Sequence, residues 1–209
     1  MEQELLDYYG QEGNHLGTAP RKEVHQKGLL HHVVHFWMIT PGNPEWEVPG
    51  LGLWCQKRSP NKADFPNMYD ILAMGGHIDA GESADNAVLR ETGEELGIQF
   101  KPSQVEGLET HHPKDWIFPG FIDREIAWVY AARLPEPPVF ACGEEVCQMV
   151  WVPMEEIIQK ELYSANEIKC YPLGEENPIM TKTSEWLPSD GEFQKVLLPW
   201  MKECGIFAG

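Results

Sequence analysis

The stretch GGHIDAGESADNAVLRETGEELGI, residues 75–98, restricts this chain more than any other. Ser83 through Leu96 has helical spacing, with Ser83 placed to cap the start and Gly97 just past the end. At about 100° per residue, Glu94 and Glu95 fall roughly 60° to one side and 40° to the other of Glu91. Ala84, Ala87 and Val88 fall on that same side, so three carboxylates occupy the face that an amphipathic helix normally gives to Leu or Ile. Carboxylates turned toward a core are costly to desolvate and need positive partners. Arg90 is a single cation against three anions, and oxygen clusters of this kind bind hard divalent ions such as Mg²⁺ or Mn²⁺. The plain alternative is a solvated acidic face, and the residues around the helix weigh against it.

Most of the remaining pattern reads as strands. The first twenty residues, punctuated by GQEG and GT, suggest a β-hairpin leading into Arg21 and Lys22. HHVVHFWMIT (31–40) reads as a central strand and LGLWCQK (51–57) as a second, whose end delivers the cationic turn Lys57, Arg58 and Lys62. MYDILAM (68–74) reads as a third strand running straight into the glycines. REIAWVYAARL (124–134) and EVCQMVWVP (145–153) follow, with a helix from Met154. FQKVLLPWMKEC predicts a closing helix that Pro199 kinks or shortens. Strands interleaved with a few helices, without regular βα alternation, predict an α/β chain with a mixed sheet covered by helices.

A chain of 209 residues is expected to form one globular domain with a substantial core. Its formal charge of −17 disfavours nonspecific binding to nucleic acid polymers or to an anionic membrane, so any anionic ligand has to be met locally. MEQELLDYYG has neither the basic start nor the apolar run of a secretory signal, and no stretch is apolar enough to span a membrane; a soluble cytoplasmic protein is expected. Five irregularly spaced cysteines, Cys55, Cys142, Cys147, Cys170 and Cys204, suggest neither a disulfide framework nor a zinc site, and read as reduced, mostly buried thiols.

The opening segment resembles the Nudix box, G-x5-E-x7-R-E-U-x-E-E-x-G-U with U apolar, through Gly76, Glu82, Arg90, Glu91, Glu94, Glu95, Gly97 and Ile98. Thr92 at the first apolar position is the one departure, and it still offers a methyl group. Gly93 costs the helix about 1 kcal/mol relative to Ala. Beyond the box, HQKGLLHHVVHFWMI, QKRSPNKADFPNMYDILAMGGH, REIAWVYAAR and EEVCQMVWVPMEEI are similar to the branch holding isopentenyl-diphosphate isomerases and isomerase-like Nudix hydrolases. The resemblance implies the Nudix fold, an α/β/α sandwich with a mixed β-sheet. Residues 1–165, N-terminal hairpin included, would form the domain, with 166–209 as an extension packed on it.

It further implies a Mg²⁺- or Mn²⁺-dependent diphosphohydrolase acting on a small anionic substrate, with a nucleoside di- or triphosphate or a nucleoside diphosphate derivative as the expected class. Divalent ions offset the charge with which a diphosphate repels a nucleophilic water. By the resemblance Glu94 and Glu95 are principal ligands, Gly76 and Glu145 join the metal set, and Glu91 is a ligand or the base. Glu82 and Arg90 orient loop and helix, while Glu91, Glu144 and Glu145 all stay open as the general base. Lys57, Arg58 and Lys62 stand where the branch places cations near a diphosphate, with a solubilising turn as the alternative reading. His25, His31, His77, Asp123 and Glu125 match residues that hold a metal in the isomerases, which implies a second site suited to Mn²⁺ or Zn²⁺. Trp116, Phe118 and Tyr130 are candidates for stacking on a base.

Two departures argue against an isomerase. Gly75 stands where the isomerases place a proton-moving cysteine, and the box that they have eroded is intact here. A non-catalytic nucleotide-binding module is the remaining reading, and the resemblance leaves room for a homodimer.

Overall fold

The computed structural model describes residues 4–62, 64–118 and 121–206, apart from the side chains of 109–112, 118 and 121. A hairpin of β1 (Leu5–Tyr9) and β2 (His15–Pro20) leads through helix α1 (Arg21–Lys27) into the axial strand β3 (Leu30–Pro41). Then come β4 (Leu51–Arg58), β5 (Tyr69–Asp70), β6 (Met74–His77) and the carboxylate helix α2 (Ala84–Leu96). The long pair β7 (Glu106–Phe118) and β8 (Phe121–Arg133) precedes β9 (Val146–Pro153), α3 (Met154–Tyr163), β10 (Glu167–Pro172) and β11 (Ile179–Lys182). A wide π-helical stretch, Phe193–Leu197, runs into α4 (Leu198–Glu203).

One edge of β3 pairs in succession with β1, β6 and β4, all antiparallel. Its other edge pairs in parallel with β8, from Leu30 opposite Arg124 to Ile39 opposite Arg133. The sheet is therefore mixed, and it continues from β4 through β9 and β10 to β11.

Successive side chains on a strand face opposite ways, and β3 is apolar on both sides. Val33, Trp37 and Ile39 join a core with Val150, Ile157, Phe193 and Leu197, under α3 and α4. Val34, Phe36 and Met38 join the other core with Ala87, Val88 and Leu96 of α2. Helices thus cover both faces, the α/β/α sandwich expected from the sequence. The stretch 193–204 does turn as a helix, and Pro199, which lacks an N–H, sits in the first turn of α4 just after the widened π stretch.

Two expectations need correction here. MYDILAM is two short strands, because the Asp70 carboxylate accepts from Leu72 N at 3.1 Å and turns the chain from its partner β4 toward β3. Only Cys55 and Cys170 are buried, whereas Cys142, Cys147 and Cys204 are exposed. Helix α1 and strands β7, β10 and β11 carry no clean periodicity and went unread. Among the described residues no helix is long and apolar enough to cross a membrane.

Phe193 is 2% exposed and packs near Trp37, their ring centroids 6.2 Å apart. Phe193→Ala is expected to lower the unfolding free energy by about 3–5 kcal/mol in a denaturant titration, as for a core aromatic. A loss below about 0.5 kcal/mol, typical of a surface site, would show that the C-terminal layer is not part of the core.

Candidate active site

The site starts from the ends of α2. Ser83 Oγ accepts from Asn86 N at 3.3 Å, and Gly97 closes the helix in the left-handed region at φ 70°. Thr92 is fully buried and returns its hydroxyl to the Leu89 carbonyl at 3.1 Å, so the one departure from the motif leaves no stranded polar group. Arg90 then fixes the charged face. Its guanidinium holds Glu82 in two hydrogen bonds of 3.1 and 2.8 Å, reaches Glu91 at 2.9 Å and Glu94 at 3.2 Å, and donates to the His77 carbonyl at 3.0 Å. The bond to Glu82 outweighs desolvation and keeps Arg90 charged.

Glu91 and Glu95 nevertheless stay short of positive charge. Burial pushes Glu91 up to about 7, against the pull of Arg90 and with the help of Glu94 and Glu145. Glu95, only 5% exposed, is pushed up to about 8 by burial, and its Oε2 has no hydrogen-bond partner among the described residues. Glu94 points outward. Burial would also raise Glu145, but its ion pair with Lys62 holds it below the ordinary range.

Strand β6 lets these groups reach a ligand. A Cβ at Gly76 would lie 2.3 Å from Cδ of Glu91, so glycine here leaves room for the Glu91 carboxylate beside the strand. Gly75 faces the other way, toward His35 and Leu72. With no side chain on either face, a cleft of about 340 Å³ is bordered both by Glu91, Glu94, Glu95 and Glu145 and by groups from the opposite face of the sheet.

Those opposite groups include His25, His77, Asp123 and Glu125 of the second predicted set, which the fully buried His31 completes. His25 of α1, His31 of β3, His77 of β6 and Asp123 and Glu125 of β8 converge, because the parallel register places His31 beside Glu125. His25 Nε2 lies 3.4 Å from His77 Nε2, and Asp123 Oδ1 lies 3.5 Å from His25 Nε2 and 3.4 Å from His31 Nε2. Neither His31 Nε2 nor Asp123 Oδ1 makes a hydrogen bond among the described residues. Burial lowers the pKa of His31 and His77, and burial together with Asp123 pushes Glu125 up to about 7. Neutral imidazoles beside carboxylates form a donor set for a cation.

Of the predicted cations, Arg58 and Lys62 line the cleft, and both are engaged by carboxylates, Arg58 by Asp64 and Lys62 by Glu145. Lys57 does not line it: strand alternation turns its ammonium over the Tyr69 ring, 4.9 Å from the centroid. Glu144 is exposed outside the cleft. Tyr130 is buried, with its hydroxyl on Asp85 at 2.8 Å, and is no stacking platform. Trp116 does line the cleft, edge-to-face with Phe65 at 5.2 Å, while the Phe118 side chain lies outside the described residues.

The sequence reading missed Arg21, His35, Lys114 and Phe65, all cleft residues. His35 was legible in part, since it sits four residues after His31 and an even spacing on a strand shares a face. Arg21 needed α1, which stacks it one turn before His25. Lys114 needed β7, whose polar composition hid it. Burial works against its charge, but Glu125, Asp190, Asp70 and Glu192 outweigh that and raise its pKa.

The family model described as NUDIX domain matches residues 33–173. An uncharacterized Nudix hydrolase of Clostridium acetobutylicum is 38% identical over 135 residues, covering 62% of this chain and 59% of that protein. Isopentenyl-diphosphate Delta-isomerase 2 of Photorhabdus laumondii subsp. laumondii is 27% identical over 151 residues, covering 71% of this chain and 77% of that protein. The crystal structure of DR0079 from Deinococcus radiodurans superposes with a TM-score of 0.51 at 21% identity, covering 75% of this chain and 88% of that one, a likeness of fold alone. The chain spans 59% or less of several curated relatives that it matches.

The raised carboxylates make stability depend on pH. A group whose folded pKa exceeds its unfolded value favours the fold at low pH and loses that contribution as pH rises through the folded value. Glu91, Glu95 and Glu125, raised from 4.5 to about 7, 8 and 7, all act this way. The depressed histidines His31 and His77 oppose them only below their ordinary value of 6.5. In chelator, the melting temperature is therefore expected to fall from about pH 6.5 to about 8, Glu95→Gln to flatten the fall, and Mn²⁺ to restore most at the upper end. A flat profile that ignores Mn²⁺ would contradict this account of the cleft.

Proposed function

The chain belongs to the Nudix family, and from that premise we propose that it is a divalent-metal-dependent hydrolase cleaving a diphosphate linkage in a nucleoside diphosphate derivative or a similar small anion. The observation that best supports this is the set of under-neutralised carboxylates on α2, facing the same cleft as Arg21, Arg58 and Lys62. The unpartnered Oε2 of Glu95 and the raised pKa of Glu91 mark carboxylates that a cation would stabilise, and all-oxygen donors suit Mg²⁺ or Mn²⁺. Glu91, Glu94, Glu95, Glu145 and the backbone of Gly76 would hold the ion. Once bound, it supplies charge neutralisation and polarisation at the diphosphate.

The chain's own groups do the rest. Arg90 and Glu82 keep α2 rigid against β6, so that the carboxylates stay in place. Arg21, Arg58 and Lys62 attract and orient the phosphate oxygens, which compete for them with Glu4, Asp64 and Glu145. Of the three candidate bases, Glu91 and Glu145 border the cleft, and the pKa of about 7 at Glu91 suits proton transfer near neutrality.

The second set, His25, His31, His77, Asp123 and Glu125, offers nitrogen and oxygen donors that suit Mn²⁺ or Zn²⁺, and its orphaned atoms support a cation there as well. This set also favours the second reading, isopentenyl-diphosphate isomerisation. Against it, Gly75 brings no proton-carrying side chain to the cleft.

The test is product formation from nucleoside di- and triphosphates, ADP-ribose, NADH, dinucleoside polyphosphates, CoA and isopentenyl diphosphate, with Mg²⁺ or Mn²⁺. Turnover is expected to require metal, and Glu95→Gln to lower kcat by about a hundredfold, equivalent to about 2.7 kcal/mol of barrier. Isomerised isopentenyl diphosphate without hydrolysis would establish the second reading. Nucleotide binding with no turnover anywhere would make the chain a binding module.

A further inference from the structure

The floor of the cleft, on the face of β6 turned away from α2, owes little to the residues of the box. His35 and Lys114 border it, and the C-terminal segment 187–193 runs beneath them. Glu192, 2% exposed, is engaged on both oxygens, by His35 Nδ1 at 2.6 Å and by Trp37 Nε1 at 2.7 Å. Asp190 lies 3.5 Å from the Lys114 ammonium. The segment is pinned in turn by Ser189 and Gln194 on Glu161.

Buried charge of this kind adds little net stability over apolar packing, so its placement beneath a cleft calls for a use. With Nδ1 committed to Glu192, Nε2 is the ring nitrogen left for a ligand. Gly75 keeps that ring uncovered, since a Cβ there would lie 3.6 Å from His35 Cδ2. The wall beside the floor is aromatic, with Phe65 against Trp116 and the Lys114 ammonium 5.3 Å over the Trp116 ring. A bare hydrocarbon placed here would leave His35 Nε2 without an acceptor, whereas a moiety with a hydrogen-bond acceptor would satisfy it.

Resting on the hydrolase reading above, we propose that His35 is a substrate-binding residue whose Nε2–H donates to an acceptor on the part of the substrate beyond the diphosphate. Glu192, reaching in from the C-terminal segment, is the positioning residue that sets its tautomer and ring orientation. The extension is then a component of the specificity site as well as of the core.

Steady-state kinetics of the full chain test this, on the panel substrate that it hydrolyses fastest. His35→Asn keeps a donor for Glu192 and removes Nε2; it is expected to raise KM about tenfold or more while kcat stays within about threefold and the melting temperature holds. Glu192→Gln should raise KM in the same direction, and the double variant should be no worse than His35→Asn alone. An unchanged KM, an additive double variant, or losses that only follow the melting temperature would overturn the inference and leave the hydrolase reading standing. A wild-type chain that hydrolyses nothing in the panel would remove both. Should His35→Asn fail to fold, ring-nitrogen NMR of the wild type decides: the His35 Nε2 signal should shift on addition of α,β-methylene-ADP with Mg²⁺, and a signal that does not move overturns the inference.

Discussion

Arg90 holds the candidate site together. Its guanidinium binds the Glu82 carboxylate, Glu91, Glu94 and the His77 carbonyl, and each of these is a part of that site. A planar fork can do this and an ammonium cannot, because the two parallel bonds to Glu82 fix its orientation before Glu91 and Glu94 are reached. One cation so heavily shared cannot neutralise every acid near it. Glu91 stays raised and Glu95 stays orphaned, so the clamp that orders the carboxylates also leaves them short of positive charge. That deficit underlies both the pH dependence of stability and the proposed metal.

Strand β6 is thin beside the clamp. Cβ atoms at residues 75 and 76 would leave the strand on opposite faces, one onto the His35 ring and the other into Glu91. Glycine at both positions leaves room for the Glu91 carboxylate on one face and keeps side-chain bulk off His35 on the other. Two donor sets, one of carboxylates and one of histidines with acids, thereby border a single cleft although they belong to different layers of the sandwich. A side chain at 76 would displace the Glu91 carboxylate, and one at 75 would rest in van der Waals contact with the His35 ring.

How much of this was legible in the sequence follows from which interactions are local. The α2 caps, its carboxylate face and the strands around His31, Trp54, Trp128 and Trp151 were readable, because periodicity and capping are set by neighbours along the chain. The five members of the second donor set were named through a family resemblance; spacing alone would not have joined His25 to Asp123 across nearly a hundred residues. Lys57 lies on strand β4, whose alternation turns it away from the cleft that Arg58 lines. Lys114 and Glu192 left no signal, since the middle of β7 is polar and Glu192 stands in a stretch without regular alternation. Their positions are fixed by partners far away in the chain, and that information is tertiary.

The charge of the whole molecule sets the terms on which such a cleft works. At −17 the surface repels an anionic substrate, but screening confines that repulsion to about 8 Å at physiological ionic strength. Inside the cleft the balance is made by individual groups. Arg21, Arg58, Lys62 and Lys114 are each already faced by a carboxylate, so none is a free positive charge waiting for phosphate. A diphosphate entering alone would have to displace Glu4, Asp64 or Glu145 from its cation and would leave another acid unpaired. If a divalent ion arrives with it, a displaced acid such as Glu145 gains a new partner, and the exchange leaves fewer charges stranded than it found. On the proposed function, metal and substrate would then bind cooperatively for a reason built into the ion pairs themselves, and specificity for what lies beyond the diphosphate would pass to the floor that His35 and Lys114 border.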